Sequence, residues 1–161
     1  MATWQFDVHL VPRLAFVTQR DRSLVDFDSG VNDFSFAWGG FVTSDSLVSA
    51  LSQLLPRTDS WNPDMDTWGR AESHRIEILR DRSTILDIRV RIDLSSAPEA
   101  FLQQIMNVAV AHNLIMIDDK CEIVEPVEDS VYNAIKRSDA YKFVVDSRSF
   151  LNNLHKKAMM G

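Results

Sequence analysis

Between Thr3 and Val11, apolar Trp4, Phe6, Val8 and Leu10 alternate with polar Gln5, Asp7 and His9. A period of two predicts a strand with one buried face, ended by Pro12. Residues 13–42 keep no sustained period, yet they hold Phe16, Phe27, Phe34, Phe36, Trp38 and Phe41 with the pair Gly39-Gly40. That is too aromatic for a solvated linker. Phe34, Phe36 and Trp38 alternate as in a short strand, so this insertion is expected to fold back over the core.

From Ser44 the spacing changes. Leu47, Val48, Leu51, Leu54 and Leu55 share one helical face, with Thr43 or Ser44 as N-cap, Asp45 in the first turn and Pro56 as the stop. Residues 57–72 read as a polar loop carrying Trp61 and Trp68. Ile76 and Ile78 then open a strand running to a turn at Asp81-Arg82-Ser83. In the partner strand, Thr84 to Asp93, the residues Leu86, Ile88, Val90 and Ile92 face one way and Asp87, Arg89, Arg91 and Asp93 the other.

Ser96 and Glu99 have capping-box spacing and Pro98 suits a first turn, so a helix is predicted from there to about His112. Its apolar face is Phe101, Leu102, Ile105, Met106, Ala109 and His112. Leu114 to Ile117 reads as a buried strand, Asp118-Asp119-Lys120 as a turn and Cys121 to Val124 as a hairpin mate. Three short helices are expected after Pro126: Val127 to Arg137, Ser138 to Val145, and Asp146 to about His155. Without the aromatic insertion, the order is strand, helix, strand, strand, helix, strand. The expected class is therefore α+β, a ferredoxin-like βαββαβ core with a C-terminal helical extension, in one domain over residues 1–161.

Composition narrows the function classes. The chain has 161 residues, 17 Lys and Arg against 23 Asp and Glu, and a formal charge of −6. Nucleic-acid backbones are bound through basic clusters that release counterions, so no nucleic-acid partner is expected. Stacking aromatics for RNA are also missing from the polar strand faces: Thr3, Gln5, Asp7 and His9 on one, and Asp87, Arg89, Arg91 and Asp93 on the other. No signal or sufficiently long apolar run is visible, and the single Cys121 excludes an internal disulfide, so a cytoplasmic location without membrane contact is expected.

No nucleophile elbow, phosphate loop or dinucleotide fingerprint occurs. Asp64 to Gly69 begins like a calcium loop but places Trp68 and Arg75 where ligands are required. His9, His74, His112 and His155 have no metal-ligand spacing, although His9 and His74 could face each other across strands. Acids around Cys121 should make it a poor thiolate. No cofactor or metal is implied, and catalysis is not the leading expectation.

Two readings remain. The densest charge is Asp118 to Asp129, with Asp118, Asp119, Glu122, Glu125, Glu128 and Asp129 against Lys120 alone. Read functionally, this run is an acidic docking surface that steers a basic protein partner, with Trp61 and Trp68 as anchors. The leading expectation is a small interaction protein of the bacterial immunity type, neutralising a toxin by occluding its basic site. Its bland counterpart is a set of solvated loops and an acidic first helical turn. The other reading is a ligand-binding or catalytic domain in which Arg89 and Arg91 clamp a small anion. Its bland counterpart is cross-strand ion pairing.

Overall fold

The computed structural model describes residues 4–18, 34–39, 41 and 45–145. The first strand, β1 (Gln5–Pro12), is buried along its whole length. It leads into α1 (Arg13–Thr18) and, further on, α2 (Ser35–Trp38) and α3 (Asp45–Ser52). Four strands follow: β2 (Arg57–Thr58), β3 (Met65–Gly69), β4 (Arg75–Asp81) and β5 (Thr84–Asp93). The chain continues through α4 (Glu99–Ala111), β6 (Leu114–Asp118), β7 (Ile123–Val124) and α5 (Glu128–Arg137). Residues 139–145 are helical, while the helix expected from Asp146 lies outside the described residues.

All seven strands join one antiparallel sheet in the order β2-β3-β4-β5-β1-β6-β7. Three of these strands lie outside the four-stranded core expected from sequence. The supposed polar loop at 57–72 is a hairpin, β2 and β3, joined to β4 through Trp68 opposite Ile76. Its alternation was obscured because Asp66 pairs with Arg57 and Arg80 on the same face that buries Trp68.

One sheet face carries the main core. Phe6, Val8 and Leu10 of β1 cluster there with Ile76, Ile78, Ile88, Val90, Ile92 and Met116, beneath helical residues from α3, α4 and α5. In α4 the buried residues Phe101, Leu102, Ile105, Met106, Val108 and Ala109 follow helical spacing. Fully burying a side chain such as Leu102 or Ile105 stabilises by about 1.5–3 kcal/mol relative to exposure. In α5, Val131, Ala134 and Ile135 face inward, with Glu128 and Asp129 in the first turn and Lys136 and Arg137 in the last, each matched to the helix dipole.

The predicted capping box does not form: α4 has Pro98 at its N-cap and no side-chain cap. Ser96 Oγ instead donates to Asp93 Oδ2 at 3.0 Å. In β5 the alternation also departs from expectation. The pairing with β4 shifts between Leu79 and Arg80, so Arg80 opposes Ile85 and Leu86 is the extra residue. Ile85 is fully buried as a result, and Leu86 only half-buried.

The opposite face is less open than its polar residues suggest. Val11, Ile115 and Ile117 form a second cluster with Ala15, Phe34 and Ala37, and Phe41 packs against it. Ser35–Trp38 is a single helical turn and not the expected short strand, with Ala37 in this second cluster and Trp38 in the main one. The alternating aromatics masked that turn. Among the described residues, no helix is long and apolar enough to cross a membrane.

Candidate functional site

The pleat turns Gln5, Asp7 and His9 to the face opposite the main core, and all three are nonetheless buried. Register explains how these buried polar groups are tolerated. Asp7 lies opposite Arg91, His9 opposite Arg89, and Glu77 opposite Arg89 on the other side. Arg91 grips Asp7 with both ends of its fork, Nε at 3.0 Å and Nη2 at 3.3 Å. Burial works against the Arg91 charge, but the Asp7 hydrogen bond, the Asp7 charge and that of Glu77 outweigh it and raise the guanidinium pKa. Glu77 accepts from Arg75 at 2.8 Å and Arg89 at 2.6 Å. His9 Nδ1 lies 2.8 Å from Asp87 Oδ1, with its ring 4.5 Å from that of Phe34.

This is a balanced lattice of three guanidiniums and three carboxylates beside an imidazole. Cross-strand ion pairing therefore describes Arg89 and Arg91 as they stand. An anion clamped by them would have to displace Glu77 and Asp7. His9 does not face His74, which belongs to the β4 end of the molecule and contacts Asp93 and Phe101.

The acidic run folds into the β6–β7 turn, the β7 edge and the start of α5. Its members have different environments. Asp118 is buried, and its Oδ1 accepts the backbone N–H groups of Lys120 and Glu122 at 3.0 and 2.9 Å. It ties the turn and presents little charge to a partner, which corrects its assignment as a docking residue. Glu122 lies 3.6 Å from Arg137. Glu125 is bound by both terminal nitrogens of Arg13, at 3.0 and 2.5 Å. That hydrogen bond holds the Glu125 carboxyl below its usual range, against a smaller opposing effect of burial.

Lys120 Nζ donates to the Arg137 carbonyl at the end of α5, at 2.9 Å. Local bases thus answer much of a run that looked uncompensated in sequence, because Arg13 and Arg137 arrive from other elements. Asp119, Glu128 and Asp129 remain exposed. Although the Asp119 side chain is open to solvent, partial desolvation by the surrounding turn, then the Asp118 charge, pushes its carboxyl up. Burial and the same two acids push the Cys121 thiol up, as the sequence anticipated. The exposed apolar side chains in this region are Ile123 and Val127, at 48% and 52%. Neither stood out in sequence, since single aliphatic residues in a polar stretch carry no periodic signal.

The two tryptophans separate. Trp61 is 85% exposed on a turn pinned by Asn62 N–H to Ser60 Oγ and Asp64 N–H to Asn62 Oδ1. Trp68 is 2% exposed, with the Arg57 guanidinium 5.4 Å from its ring centroid. It is a core residue, which corrects its assignment as a partner anchor: β3 turns it toward Ile76, where its area is removed from water. Trp61 and the acidic region sit near opposite sheet edges. Between β3 and β7 lie five inter-strand steps, about 24 Å at about 4.8 Å per step. Tertiary structure therefore splits the predicted partner surface in two.

No protein family, curated protein or solved structure matches the chain.

Proposed function

We propose that the chain is a protein-interaction module of the immunity type, which occludes a basic site on a toxin partner through the β7 edge and the start of α5. The observation that carries this reading is the exposure of Ile123 and Val127 among Asp119, Glu128 and Asp129. Apolar side chains supply contact area, and the surrounding acids steer a basic partner and fix its orientation. The aliphatic pair takes the anchoring role first given to the tryptophans. A cytoplasmic setting belongs to the same proposal.

The scaffold in this reading is ferredoxin-like. Support comes from the subset β1, α3, β4, β5, α4, β6, whose strands run β4-β5-β1-β6 with every neighbour antiparallel. Each helix then joins two strands separated by a third, the split βαβ arrangement. On that scaffold, β7 extends one edge and the β2–β3 hairpin the other.

The test starts from a partner captured in the native cell, identified and then purified, with affinity measured on the two isolated proteins. Reversing Asp119, Glu128 and Asp129 to Lys should weaken binding at least about tenfold, mainly through slower association at low salt. Ile123→Ala should speed dissociation, while Trp61→Ala should change affinity less than about twofold. An acidic partner, or binding indifferent to the triple reversal, overturns the proposal.

A further inference from the structure

The β3–β4 connection, residues 70–74, is held at two points. Gln5 Nε2 donates to the Ala71 carbonyl at 2.7 Å, and the Asp93 backbone N–H donates to His74 Nδ1 at 3.0 Å. The His74 ring also stacks on Phe101 of α4, with centroids 4.4 Å apart and planes inclined by 17°. Beside it, the Asp93 carboxylate organises the β5–α4 turn. Oδ1 accepts from Ser95 N at 2.9 Å and Ser95 Oγ at 2.5 Å, and Oδ2 accepts from Ser96 Oγ at 3.0 Å. The imidazole therefore joins three parts of the chain.

Its bond to Asp93 exists in one protonation state. An Nδ1 that accepts carries no proton, so the neutral ring holds its hydrogen on Nε2. Protonation would set a second N–H against the Asp93 N–H, two donors with no acceptor between them. We propose that His74 is an acid-sensitive latch: neutral, it locks the 70–74 connection to the β5–α4 turn; protonated, it releases the Asp93 amide and competes with Ser95 and Ser96 for the Asp93 carboxylate.

The surrounding charges are compatible with this. From β5 the charged group acting on His74 is Asp93, and α4 contributes the uncharged Phe101 ring, with Glu99 in its exposed first turn. In β4, which follows directly, Arg75 and Glu77 bind each other. β3 brings up the backbone of Gly69, where an added Cβ would collide with the His74 carbonyl. Burial lowers the His74 pKa more than the Asp93 charge raises it. The latch is thus closed at neutral pH and opens as pH falls through a folded value below the ordinary histidine range.

The test is amide exchange at Asp93 in the full chain at about pH 7.5 and about pH 5, corrected for intrinsic rates, with imidazole ¹⁵N shifts reporting the tautomer. In wild type, Asp93 protection should fall at least about tenfold on acidification, while Val90 in the centre of β5 changes less. His74→Phe keeps an aromatic ring without the acceptor and should show low protection at both pH values. His9→Asn should retain the wild-type response. The proposal is overturned by unchanged Asp93 protection in wild type, by a neutral ring protonated on Nδ1, or by a wild-type response in His74→Phe. Should that variant fail to fold, the wild-type ¹⁵N shifts and exchange decide.

Discussion

Asp7 and Arg91 show what a single residue pair does here. Both are mostly buried, at 11% and 14% side-chain exposure, and each satisfies the other's charge. Arg91→Ala leaves the Asp7 carboxylate without its counterion and should cost about 3 kcal/mol in a urea titration. The double change Asp7→Leu, Arg91→Leu should recover at least half of that loss, since an apolar pair carries no desolvation penalty. Failure to recover would mean that the lattice formed with Glu77 and Arg89 depends on the charged pair. Sequence exposed the facing of these residues, since Asp7 and Arg91 both occupy polar positions of alternating strands. Their partnership was invisible, because the register of β1 on β5 is set 84 residues apart along the chain.

Among the elements, the β4–β5 hairpin is legible in the sequence apart from the bulge at Leu86, because its pattern is local. Asp81 pairs with Thr84 across a two-residue loop, and Arg82 at its first position has φ +57°. Two-residue hairpin loops favour a positive φ there, which costs an L residue about 1–2 kcal/mol and glycine little. Arg82→Gly should therefore raise stability by about 0.5–1 kcal/mol, read as a higher urea midpoint at unchanged slope. A lower midpoint would show that the Arg82 side chain stabilises the turn by more than its backbone strain. β5, α4 and α5 were legible for the same local reason, while α2 and the β2–β3 hairpin were not. In α2 two periodicities overlap across four residues. In β3 an ion-paired Asp66 occupies the core-facing row, and hydrophobic alternation cannot register a charge that is satisfied from Arg57 and Arg80.

For the whole molecule, the pH dependence of stability combines groups from opposite parts of the fold. His74 has a lowered folded pKa, so the unfolded chain binds its proton more readily. Its contribution is present above about 6.5 and is lost as pH falls through the lower folded value. Glu125, lowered chiefly by its Arg13 hydrogen bond, behaves alike at more acid pH. Its contribution is present above about 4.3 and lost as pH falls through its folded value. Because that pair is 37% and 47% exposed, it should be worth under about 1 kcal/mol. Asp119, shifted upward, opposes this second loss. Urea midpoints measured from neutral to about pH 4 should decline, with His74→Phe removing the first stage and Arg13→Ala weakening the second. A flat wild-type profile down to about pH 5 would contradict the His74 contribution.

Local sequence alone carries the alternation of β1, β4 and β5 from Asp87 onward, the helices α4 and α5, and the turn at Arg82. Each depends on residues within a few positions of one another, where backbone geometry ties side-chain direction to spacing. Tertiary structure decided which polar faces met water. It buried Asp7, His9 and Trp68, left Trp61 exposed at the far edge, and brought Arg13 and Arg137 to the acidic run. The physical reason is that burial and electrostatic compensation depend on what packs from distant parts of the chain, and no local period records that.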